Sequence, residues 1–460
     1  MRSSTVVAIV VLACAALSSR GCDAQTPTPS KVILVHRHGA RTPIAVVNQS
    51  LPLVCGSTAC GALTAEGKSM LASLGRTVRD WYGSDGNTVL PPAYDPYLVY
   101  TRSTSVTRTI QSADAFLRGA FPNLTDFYPA IENVHIADDH LLDTSAAWPS
   151  VALHLENRGM FISEMTAYVN AHFTADELVR IGQETFQDIL CPTYAAYCAL
   201  TGQDFAQAWR SQGILKPESF LATAIHRLDA VIETWNRLRF GYSKTNPFDL
   251  AIGSQGTLLA QEILSQAAAP VQPSAGDTPA KSSASLIEFS AHDTTLMPLY
   301  ATMGTSAWRP RFAEAILFEV YQDATDPAMG TIRAFWGHPE QTPGDHLYSF
   351  APYPMHCVDG QGIEFINAPN RSDTKNLGCT LTQWNAYLET TAPRAAGDGW
   401  CSFFAPDQVV ACPNASVPVN ASTQPACLAF RTKCPATACG AAAALVVNYN
   451  KGLACEAVSS

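Results

Sequence analysis

A strand-like apolar run near the start of the chain ends in a cluster of arginine and histidine side chains. The run is Val32 to Val35, and it passes directly into HRHGARTP, which begins at His36 and ends at Pro43. Arginine forks bind phosphate oxygens with paired hydrogen bonds, and a neutral imidazole nitrogen can attack phosphorus. The cluster therefore predicts a phosphoryl group that is held by arginines and taken up by a histidine. For each of these residues alone, a basic surface turn after a buried strand is the simpler interpretation.

A second apolar run begins at Leu286 and ends in the polar residues Ser290 to Thr295. Its His292 and Asp293 offer an imidazole and a carboxyl group side by side. Successive side chains of a strand point to opposite faces, but where a strand ends the backbone turns and both can reach one pocket. Because open α/β sheets bind ligands at the carboxyl ends of their strands, we expect both clusters to meet in one crevice. The alternative is a helix N-terminus that Asp293 caps.

A third segment, residues 97–121, has the pattern of a short strand followed by a helix, with Ser103 or Thr104 as the expected helix cap. Arg108 lies near the predicted start of this helix, where its side chain can reach an anion at the strand ends. An exposed arginine on a helix is the default alternative for Arg108.

The three segments together resemble the histidine acid phosphatase family, a branch of the histidine phosphatase superfamily. The family pattern R-H-G-x-R-x-P is met by residues 37–43, and its S-A-H-D signature by residues 290–293. Its R-S-T-x-x-x-R-T segment is met by residues 102–109, although Ser105 stands where relatives often carry Asp. That position does not contact phosphate in the family, so we expect activity to survive the change. The resemblance covers roughly residues 31–393.

The resemblance implies a mechanism and a role for each site residue. His38 would be the nucleophile and would form a phosphohistidine that water later hydrolyses. Asp293 would protonate the leaving oxygen as general acid, so acidic conditions should favour the reaction. The phosphoryl oxygens would be held by Arg37, Arg41, Arg108 and His292. Bound phosphate should raise the Asp293 pKa, whereas the arginines should lower it, and the sequence leaves this balance open. The family reaction uses no metal and no other cofactor.

His36 lies two residues before His38, a spacing that metal ligands commonly use. A continuing strand would place both imidazoles on one face. However, no nearby carboxylate or cysteine completes a set of metal ligands. We therefore expect no metal and interpret His36 as a structural neighbour of the site.

Residues 1–24 have the features of a secretory signal peptide, with cleavage expected after Ala24. Arg2 precedes an apolar run from Val6 to Leu17 that is too short to span a membrane, and small residues follow it. The chain holds 14 cysteines, and removal of the signal peptide would leave twelve, which suits an oxidised framework. The plausible local disulfides are Cys55 with Cys60 and Cys191 with Cys198. We expect the protein to be secreted or held in an acidic endolysosomal compartment.

The charge balance and several short motifs limit the partners. A net charge of -10 argues against nucleic acid, and it makes binding of small phosphomonoesters depend on a local arginine pocket. No later segment, including AAAALVV at 441–447, is long enough for a transmembrane anchor. Candidate glycosylation sites are Asn48, Asn123, Asn370, Asn414 and Asn420. The oligomeric state stays open between a monomer and a homodimer.

Strand-like runs that alternate with helical stretches predict an α/β fold with a sheet flanked by helices. The resemblance implies that this central sheet is mixed and phosphoglycerate mutase-like, and that the fold carries an inserted, mainly helical cap domain. We assign residues 25–140 and 253–400 to the α/β catalytic domain, 141–252 to the cap and 401–460 to a Cys-rich extension. Within the catalytic domain, residues 265–285 are rich in Ala, Pro and Ser and are expected to form a solvated loop.

The leading hypothesis is a secreted acid phosphatase that hydrolyses phosphomonoesters. A specialised phytase or lysophospholipid phosphatase on the same scaffold is the alternative, since residues of the cap would decide the substrate. A third hypothesis is a catalytically silent, phosphate-binding surface glycoprotein. The intact set of proposed catalytic and phosphate-binding residues argues against this third interpretation.

Overall fold

A computed structural model of the chain describes the residues between 27 and 392 with several gaps, together with two short strands near the C-terminus. The described ranges are 27–44, 54–55, 58–83, 89–122, 129–135, 139, 141–143, 160–187, 191–246, 249–250, 253–271, 284–306, 308–323, 326, 329–340, 348–392, 443–448 and 452–457. The predicted signal peptide, four of the five sequons and most of the Cys-rich extension lie outside these ranges. The fifth sequon residue, Asn370, is exposed.

The centre of the fold is an eight-stranded mixed sheet. In chain order the strands of the protein are β1 (Lys31–Arg37), β2 (Val99–Thr104), β3 (Glu132–Val134), β4 (Leu286–Ala291), β5 (Ala315–Tyr321), β6 (Thr331–Pro339), β7 (Tyr348–Tyr353), β8 (Met355–Val358), β9 (Glu364–Asn367), β10 (Cys379–Thr380), β11 (Ala443–Asn448) and β12 (Gly452–Ala457). The central order is β10-β6-β5-β1-β4-β2-β3, with β7 also paired to β6. Strands β1, β4, β2 and β3 run parallel, whereas β5, β6, β7 and β10 form antiparallel pairs. Two separate hairpins are β8 with β9 and β11 with β12.

Helices cover both faces of this sheet. In chain order the helices of the described ranges are α1 (Ala65–Tyr82), α2 (Thr107–Ala120), α3 (Met160–His172), α4 (Ala175–Thr185), α5 (Ala195–Ser211), α6 (Phe220–Phe240), α7 (Thr257–Ala268), α8 (Asp293–Thr302) and α9 (Leu381–Thr391). Because strand side chains alternate, Val32 and Leu34 join the core beneath α1 and α2, whereas Ile33 and Val35 join the core beneath α7, α8 and α9. The predicted fold class, a mixed central sheet flanked by helices, is confirmed.

Helices α3 to α6 pack around a separate apolar core. Buried residues from all four helices meet there, including Met165, Ile181, Phe205 and Leu228. Helix α4 begins with a capping box in which Thr174 and Glu177 bond to each other's backbone N–H groups, which fixes its start. None of the helices in the described part of the chain has the length and apolar character that crossing a bilayer requires.

Two local expectations were wrong. Helix α2 is preceded by Val106 at its N-cap, because Ser103 and Thr104 continue strand β2 and use their side chains elsewhere. Helix α7 extends to Ala268 and so occupies the first part of the predicted loop at 265–285, because Ala267 fits into the core beside the sheet. The end of that loop, from residue 284, leads into β4, and residues 272–283 lie outside the described ranges.

Three disulfides occur among the described residues. The two predicted local pairs, Cys55–Cys60 and Cys191–Cys198, are both confirmed. A third bond joins Cys357 of β8 to Cys379 of β10, which the sequence did not single out. This third bond ties the small β8–β9 hairpin to the edge of the central sheet.

Two glycines allow the segment after β1 to lie against the first turn of α1. A Cβ at Gly39 would lie 2.2 Å from the carbonyl oxygen of Gly67, and a Cβ at Gly67 would lie 2.1 Å from that of Ala40. The Thr64 side chain caps α1 and also donates to the Ala40 carbonyl oxygen at 3.0 Å. The backbone after β1 is therefore held against α1 at a separation that only glycine permits.

We predict that Gly67→Ala destabilises the protein although alanine favours helices. Helix propensity would add about 1 kcal/mol of stability. The new methyl group meets a fixed backbone carbonyl, and such overpacking costs about 1–3 kcal/mol. The free energy of unfolding in urea should therefore fall. Gly360→Ala is the matched control, because a Cβ there meets nothing within 4 Å. Equal or greater stability of Gly67→Ala would contradict the close approach.

Candidate active site

The two main sequence motifs meet because β1 and β4 are parallel neighbours. Their register pairs Arg37 with Ala291, the last residue of each strand. Just beyond, the His38 backbone N–H donates to the carbonyl oxygen of Ala291 at 2.9 Å. The residues that follow both strands therefore emerge at one edge of the sheet, as the strand-end argument predicted.

His38 is buried, and its hydrogen-bonding fixes which nitrogen carries the proton. The Nδ1 atom lies 2.8 Å from the carbonyl oxygen of Gly39. A carbonyl can only accept, so Nδ1 is the donor and Nε2 of the neutral ring keeps its lone pair. Burial, and then the charges of Arg37, Arg108 and Arg41, hold the pKa of His38 well below its usual value. The imidazole is therefore neutral and nucleophilic even in moderately acidic solution.

His292 has the opposite tautomer. It precedes α8 as the N-cap residue, and its Nδ1 lies 3.3 Å from Nη2 of Arg108. A guanidinium can only donate, so Nδ1 accepts and Nε2 carries the proton toward Thr104 Oγ1, 2.9 Å away. Thr104 is bonded in turn to Thr109, whose hydroxyl donates to backbone carbonyls. Burial and Arg108 lower the pKa of His292 to about 3.

Asp293 begins α8 and is bracketed by two arginines. Its Oδ2 lies 2.8 Å from Nη2 of Arg37 and 3.1 Å from Nε of Arg309. The other carboxylate oxygen accepts the backbone N–H of Thr294 at 3.0 Å. Burial alone would raise the pKa of Asp293, but Arg37 and Arg309 outweigh burial and hold this pKa well below its usual range. The carboxyl group is therefore ionised while the pocket holds no anion.

Arg41 contacts the helices α3 to α6 through Asp204 of α5. Its Nη2 donates to Asp204 Oδ1 at 2.8 Å, and Asp204 Oδ2 accepts the backbone N–H of Ile44 at 2.8 Å. Burial would raise the pKa of Asp204, but Arg41 reverses this and lowers it. Asp204 thereby orients Arg41 without filling all of its donors.

The pocket has more positive than negative charge. Four guanidiniums, those of Arg37, Arg41, Arg108 and Arg309, face the two carboxylates of Asp204 and Asp293. The excess is two positive charges. Burial lowers the pKa of Arg37 to about 9 and that of Arg108 to about 10, so both stay charged in acid. The buried Nε atoms of Arg37, Arg41 and Arg108 have no hydrogen-bond partner among the described residues. Unsatisfied cationic donors of this kind suit a dianion.

The segment 308–314 forms another wall of the pocket. The Phe312 ring lies 5.7 Å from the His38 ring and 4.4 Å from the guanidinium carbon of Arg37. The Pro310 carbonyl accepts from Nη1 of Arg37 at 2.6 Å. Ala313 has a positive φ of 58°, and its N–H donates to the His38 carbonyl at 3.0 Å. This strained turn therefore holds the backbone on which the His38 ring is carried.

The buried carboxylate of Glu314 anchors that segment. Glu314 Oε1 accepts from Tyr300 Oη at 3.0 Å and from Trp308 Nε1 at 3.2 Å, and Oε2 accepts the Arg311 backbone N–H at 3.0 Å. The Glu314 backbone carbonyl also accepts the N–H of Arg37. Glu314 therefore holds both the segment 308–314 and the end of β1.

Helix α2 ties the third sequence segment to the first two. Ser112 Oγ accepts the Gly39 N–H at 3.1 Å and donates to the Arg108 carbonyl at 2.8 Å. Ser290 Oγ of β4 donates to the Thr109 carbonyl at 2.8 Å. The start of α2, with Arg108, is therefore fixed to both strand ends. Arg102, which belongs to the same motif, pairs instead with Asp139 at 2.7 Å.

The structure brings together all six site residues predicted from the sequence: Arg37, His38, Arg41, Arg108, His292 and Asp293. It also adds residues that sequence reasoning missed, which are Gln203, Asp204, Arg309 and Phe312. Arg309 donates to Gln203, which in turn donates to Asp229 of α6. The cluster RPRF at 309–312 was a weak signal, whereas nothing local marks Asp204.

No three His, Cys, Asp or Glu side chains in the described ranges are grouped so as to hold a metal ion.

We predict that neither pocket histidine takes up a proton at pH 5. Nitrogen-15 NMR of the ligand-free protein should show His38 as the neutral Nδ1–H tautomer and His292 as the neutral Nε2–H tautomer. The physical reasons are burial, the surrounding arginines and the fixed partners. The control is the unfolded protein in denaturant, where histidines should titrate near pH ~6.5. A His38 signal that titrates near this value in the folded protein would contradict the assignment.

Comparison with known proteins agrees with this geometry. The model of the Histidine phosphatase superfamily (branch 2) matches residues 30–330. A testicular acid phosphatase of Homo sapiens is 36% identical over 122 residues, which span 24% of this chain and 28% of that relative. A lysosomal acid phosphatase of Bos taurus is 29% identical over 317 residues, 65% of this chain and 69% of that relative. The solved phytase of Citrobacter braakii has a TM-score of 0.55 at 15% identity and covers 80% of this chain and 98% of its own, a likeness of fold. The chain belongs to the histidine phosphatase superfamily, branch 2.

Proposed function

We propose that this protein is an acid phosphatase that hydrolyses phosphomonoesters through a phosphohistidine on His38. One observation carries the proposal: a neutral imidazole with a free Nε2 lone pair is surrounded by buried guanidinium donors that lack partners among the described residues. The excess of two positive charges equals the charge that a phosphate dianion brings. Preorganised donors of this kind stabilise the charge that develops on a transferring phosphoryl group.

In the first step the Nε2 lone pair of His38 attacks phosphorus while the bond from phosphorus to the ester oxygen breaks. Arg37, Arg41 and Arg108 hold the equatorial oxygens. The leaving oxygen needs a proton unless the alcohol is a strong acid, and Asp293 is the carboxyl group next to Arg37 that can supply it. The products are the free alcohol, phosphorylated His38 and the Asp293 carboxylate.

Asp293 must first gain a proton, because the ligand-free pocket keeps it ionised. A phosphomonoester has a second pKa near ~6, so around pH 5 it binds mostly as a monoanion that still carries a proton. Its negative charge also offsets the arginines that lower the Asp293 pKa. The substrate therefore brings both the proton and the charge that let Asp293 hold it. Acidic conditions favour this step.

In the second step water attacks the phosphorus of phosphohistidine, and the bond from phosphorus to Nε2 breaks. Asp293, now a carboxylate, takes a proton from this water. Phosphate leaves as a monoanion with the proton from Asp293, which restores the carboxylate, and His38 returns to the neutral tautomer that the Gly39 carbonyl favours. No metal or cofactor is needed to balance the reaction.

We also propose that the protein acts in an oxidising and acidic compartment, either outside the cell or in an endolysosomal vesicle. The three disulfides support this, since such bonds persist in oxidising surroundings. Two relatives carry the names lysosomal acid phosphatase and prostatic acid phosphatase. The likeness to phytases concerns the fold alone, so it does not favour inositol polyphosphates over simple esters.

We predict that His38→Ala lowers turnover of an aryl phosphate at pH 5 by at least about 1,000-fold, because the covalent route is lost. His226→Ala, a change at an exposed histidine of α6, is the control. The measurement is steady-state hydrolysis without added metal. It is combined with trapping of phosphorus-32 on the protein in alkali, where phosphohistidine is stable. Wild-type turnover in His38→Ala, or label on another residue, would reject the proposed nucleophile.

We predict that Arg309→Gln raises the pKa of Asp293, because it removes a cation 3.1 Å from Oδ2. A protonated Asp293 would then persist to higher pH. For an alkyl phosphate, whose leaving group needs the proton, the alkaline fall of kcat should shift upward by roughly one unit. For 4-nitrophenyl phosphate the shift should be much smaller. Arg311→Gln is the control, since this arginine is exposed on the same segment. An equal shift with both substrates would remove Asp293 from the general-acid role.

A further inference from the structure

A buried pair of ionisable side chains lies directly beneath the pocket and takes no part in the proposed chemistry. His36 of β1 and Glu288 of β4 are both fully buried, and His36 Nε2 lies 2.8 Å from Glu288 Oε1. The parallel register places Leu34 opposite Glu288, so His36 is the next residue on the same face. On this face the His36 ring lies 6.0 Å from the ring of Phe116 in α2.

The hydrogen bonds of this pair form a closed set. His36 Nδ1 lies 3.1 Å from the Arg37 carbonyl oxygen, which can only accept, so Nδ1 carries a proton. One further proton lies between Nε2 and Glu288, and the pair is neutral as a whole wherever that proton lies. Thr101 Oγ1 of β2 donates to the other Glu288 oxygen at 3.0 Å. Three neighbouring strands therefore contribute to one network.

Stability does not account for this pair. Burial raises the pKa of Glu288, which reflects the cost of placing a carboxylate inside the sheet. Replacing a buried charged pair by apolar residues of similar volume is often neutral or stabilising. The preceding positions of β1 on this face, Val32 and Leu34, are apolar and fully buried. The contacts of the pair therefore explain its presence better than stability does.

What the pair contacts is the peptide group between Arg37 and His38. The N–H of this peptide donates to the Ala291 carbonyl at 2.9 Å, and its carbonyl accepts from His36 Nδ1 at 3.1 Å. Strand β1 ends at Arg37, so the regular ladder stops at this peptide. His36 supplies a side-chain hydrogen bond at the point where strand pairing stops. The orientation of this peptide plane sets the direction in which the His38 side chain leaves the backbone.

We propose that His36 and Glu288 are positioning residues for the nucleophile. Glu288 holds the His36 ring so that Nδ1 is the donor, and His36 holds the peptide plane that aims His38 Nε2 at phosphorus. Neither residue contacts the substrate. The inference rests on the proposed nucleophilic role of His38. A small misplacement of a reacting group can cost about 100-fold in rate while binding changes little.

The test compares two replacements of His36. His36→Phe keeps a ring against Phe116 but removes the donor to the Arg37 carbonyl. His36→Asn restores a donor close to the place of Nδ1, because the asparagine amide nitrogen is equally far from Cα. The readouts are the single-turnover rate of phosphoenzyme formation and the inhibition constant of inorganic phosphate. We expect His36→Phe to slow phosphoenzyme formation by roughly 10- to 100-fold with less than about a three-fold change for phosphate. His36→Asn should recover most of the rate.

Glu288 gives a second, independent comparison that also serves if His36→Phe does not fold. Glu288→Gln can still donate to Nε2 and so keeps Nδ1–H, and its rate should stay within about three-fold of wild type. Glu288→Leu leaves the ring unheld and should slow phosphoenzyme formation about 10-fold. Tyr82→Phe is the control. It removes a 2.6 Å hydrogen bond to Glu319 of β5, which is another buried carboxylate of the same sheet.

The outcomes separate this inference from the function on which it rests. Absence of labelled His38 in the wild-type protein would reject the proposed nucleophile itself. Labelled His38 that forms at the wild-type rate in His36→Phe, or in Glu288→Leu if His36→Phe does not fold, would reject only the positioning role. A rate loss matched by an equal loss of phosphate affinity, or equalled in Tyr82→Phe, would also reject positioning in favour of general destabilisation.

Discussion

The ion pair between Arg37 and Asp293 is the interaction on which the rest of the site depends. It joins the residue that ends β1 to the residue that begins α8, and Arg37 is fully buried. Removing one partner of a buried ion pair costs about 3–5 kcal/mol, because the other charge is left without compensation. Asp293 alone does not satisfy Arg37, whose Nε has no hydrogen-bond partner among the described residues. The fold therefore stabilises the Arg37 guanidinium and still leaves it a donor that can bind an anion.

The remaining parts of the site follow from that partial compensation. Arg309 and the Pro310 carbonyl reach the pair from the segment before β5, and Glu314 anchors this segment from below. On the other side, Asp204 of α5 compensates Arg41 in the same incomplete way. The helices α3 to α6 thus contact the arginine pocket through Asp204 and through Gln203, which accepts from Arg309. A change in how these helices pack would alter the orientation of two arginines without touching either strand end.

How much the sequence could predict depended on whether the local pattern around a residue reveals its role. His38 and His292 were predictable because each follows an apolar strand, and parallel strands bring their ends to one edge. Asp204 was not predictable, since it lies within a helix whose spacing indicates only a packed core. The cap of α2 was misjudged because Thr104 uses its hydroxyl on His292 and Thr109, a tertiary demand that no local pattern reveals. His36 was interpreted as a structural neighbour, and only the contact with Glu288, 252 residues away in the chain, suggests a more specific role.

The same electrostatics lower the stability of the folded protein in acid. His38 and His292 have lowered pKa values in the folded protein. Below pH ~6.5 the unfolded chain therefore binds protons at these histidines that the folded protein does not bind. Their contribution to stability is therefore complete above that pH and falls as the pH drops. For His292, whose folded pKa is about 3, the loss between pH 6.5 and 5 is roughly 2 kcal/mol. A bound phosphate anion at 100 times its Kd returns about 2.7 kcal/mol. At the acidity at which the proposed reaction runs best, a bound anion thus offsets the stability that His292 loses, and substrate and product phosphate should both protect the folded state.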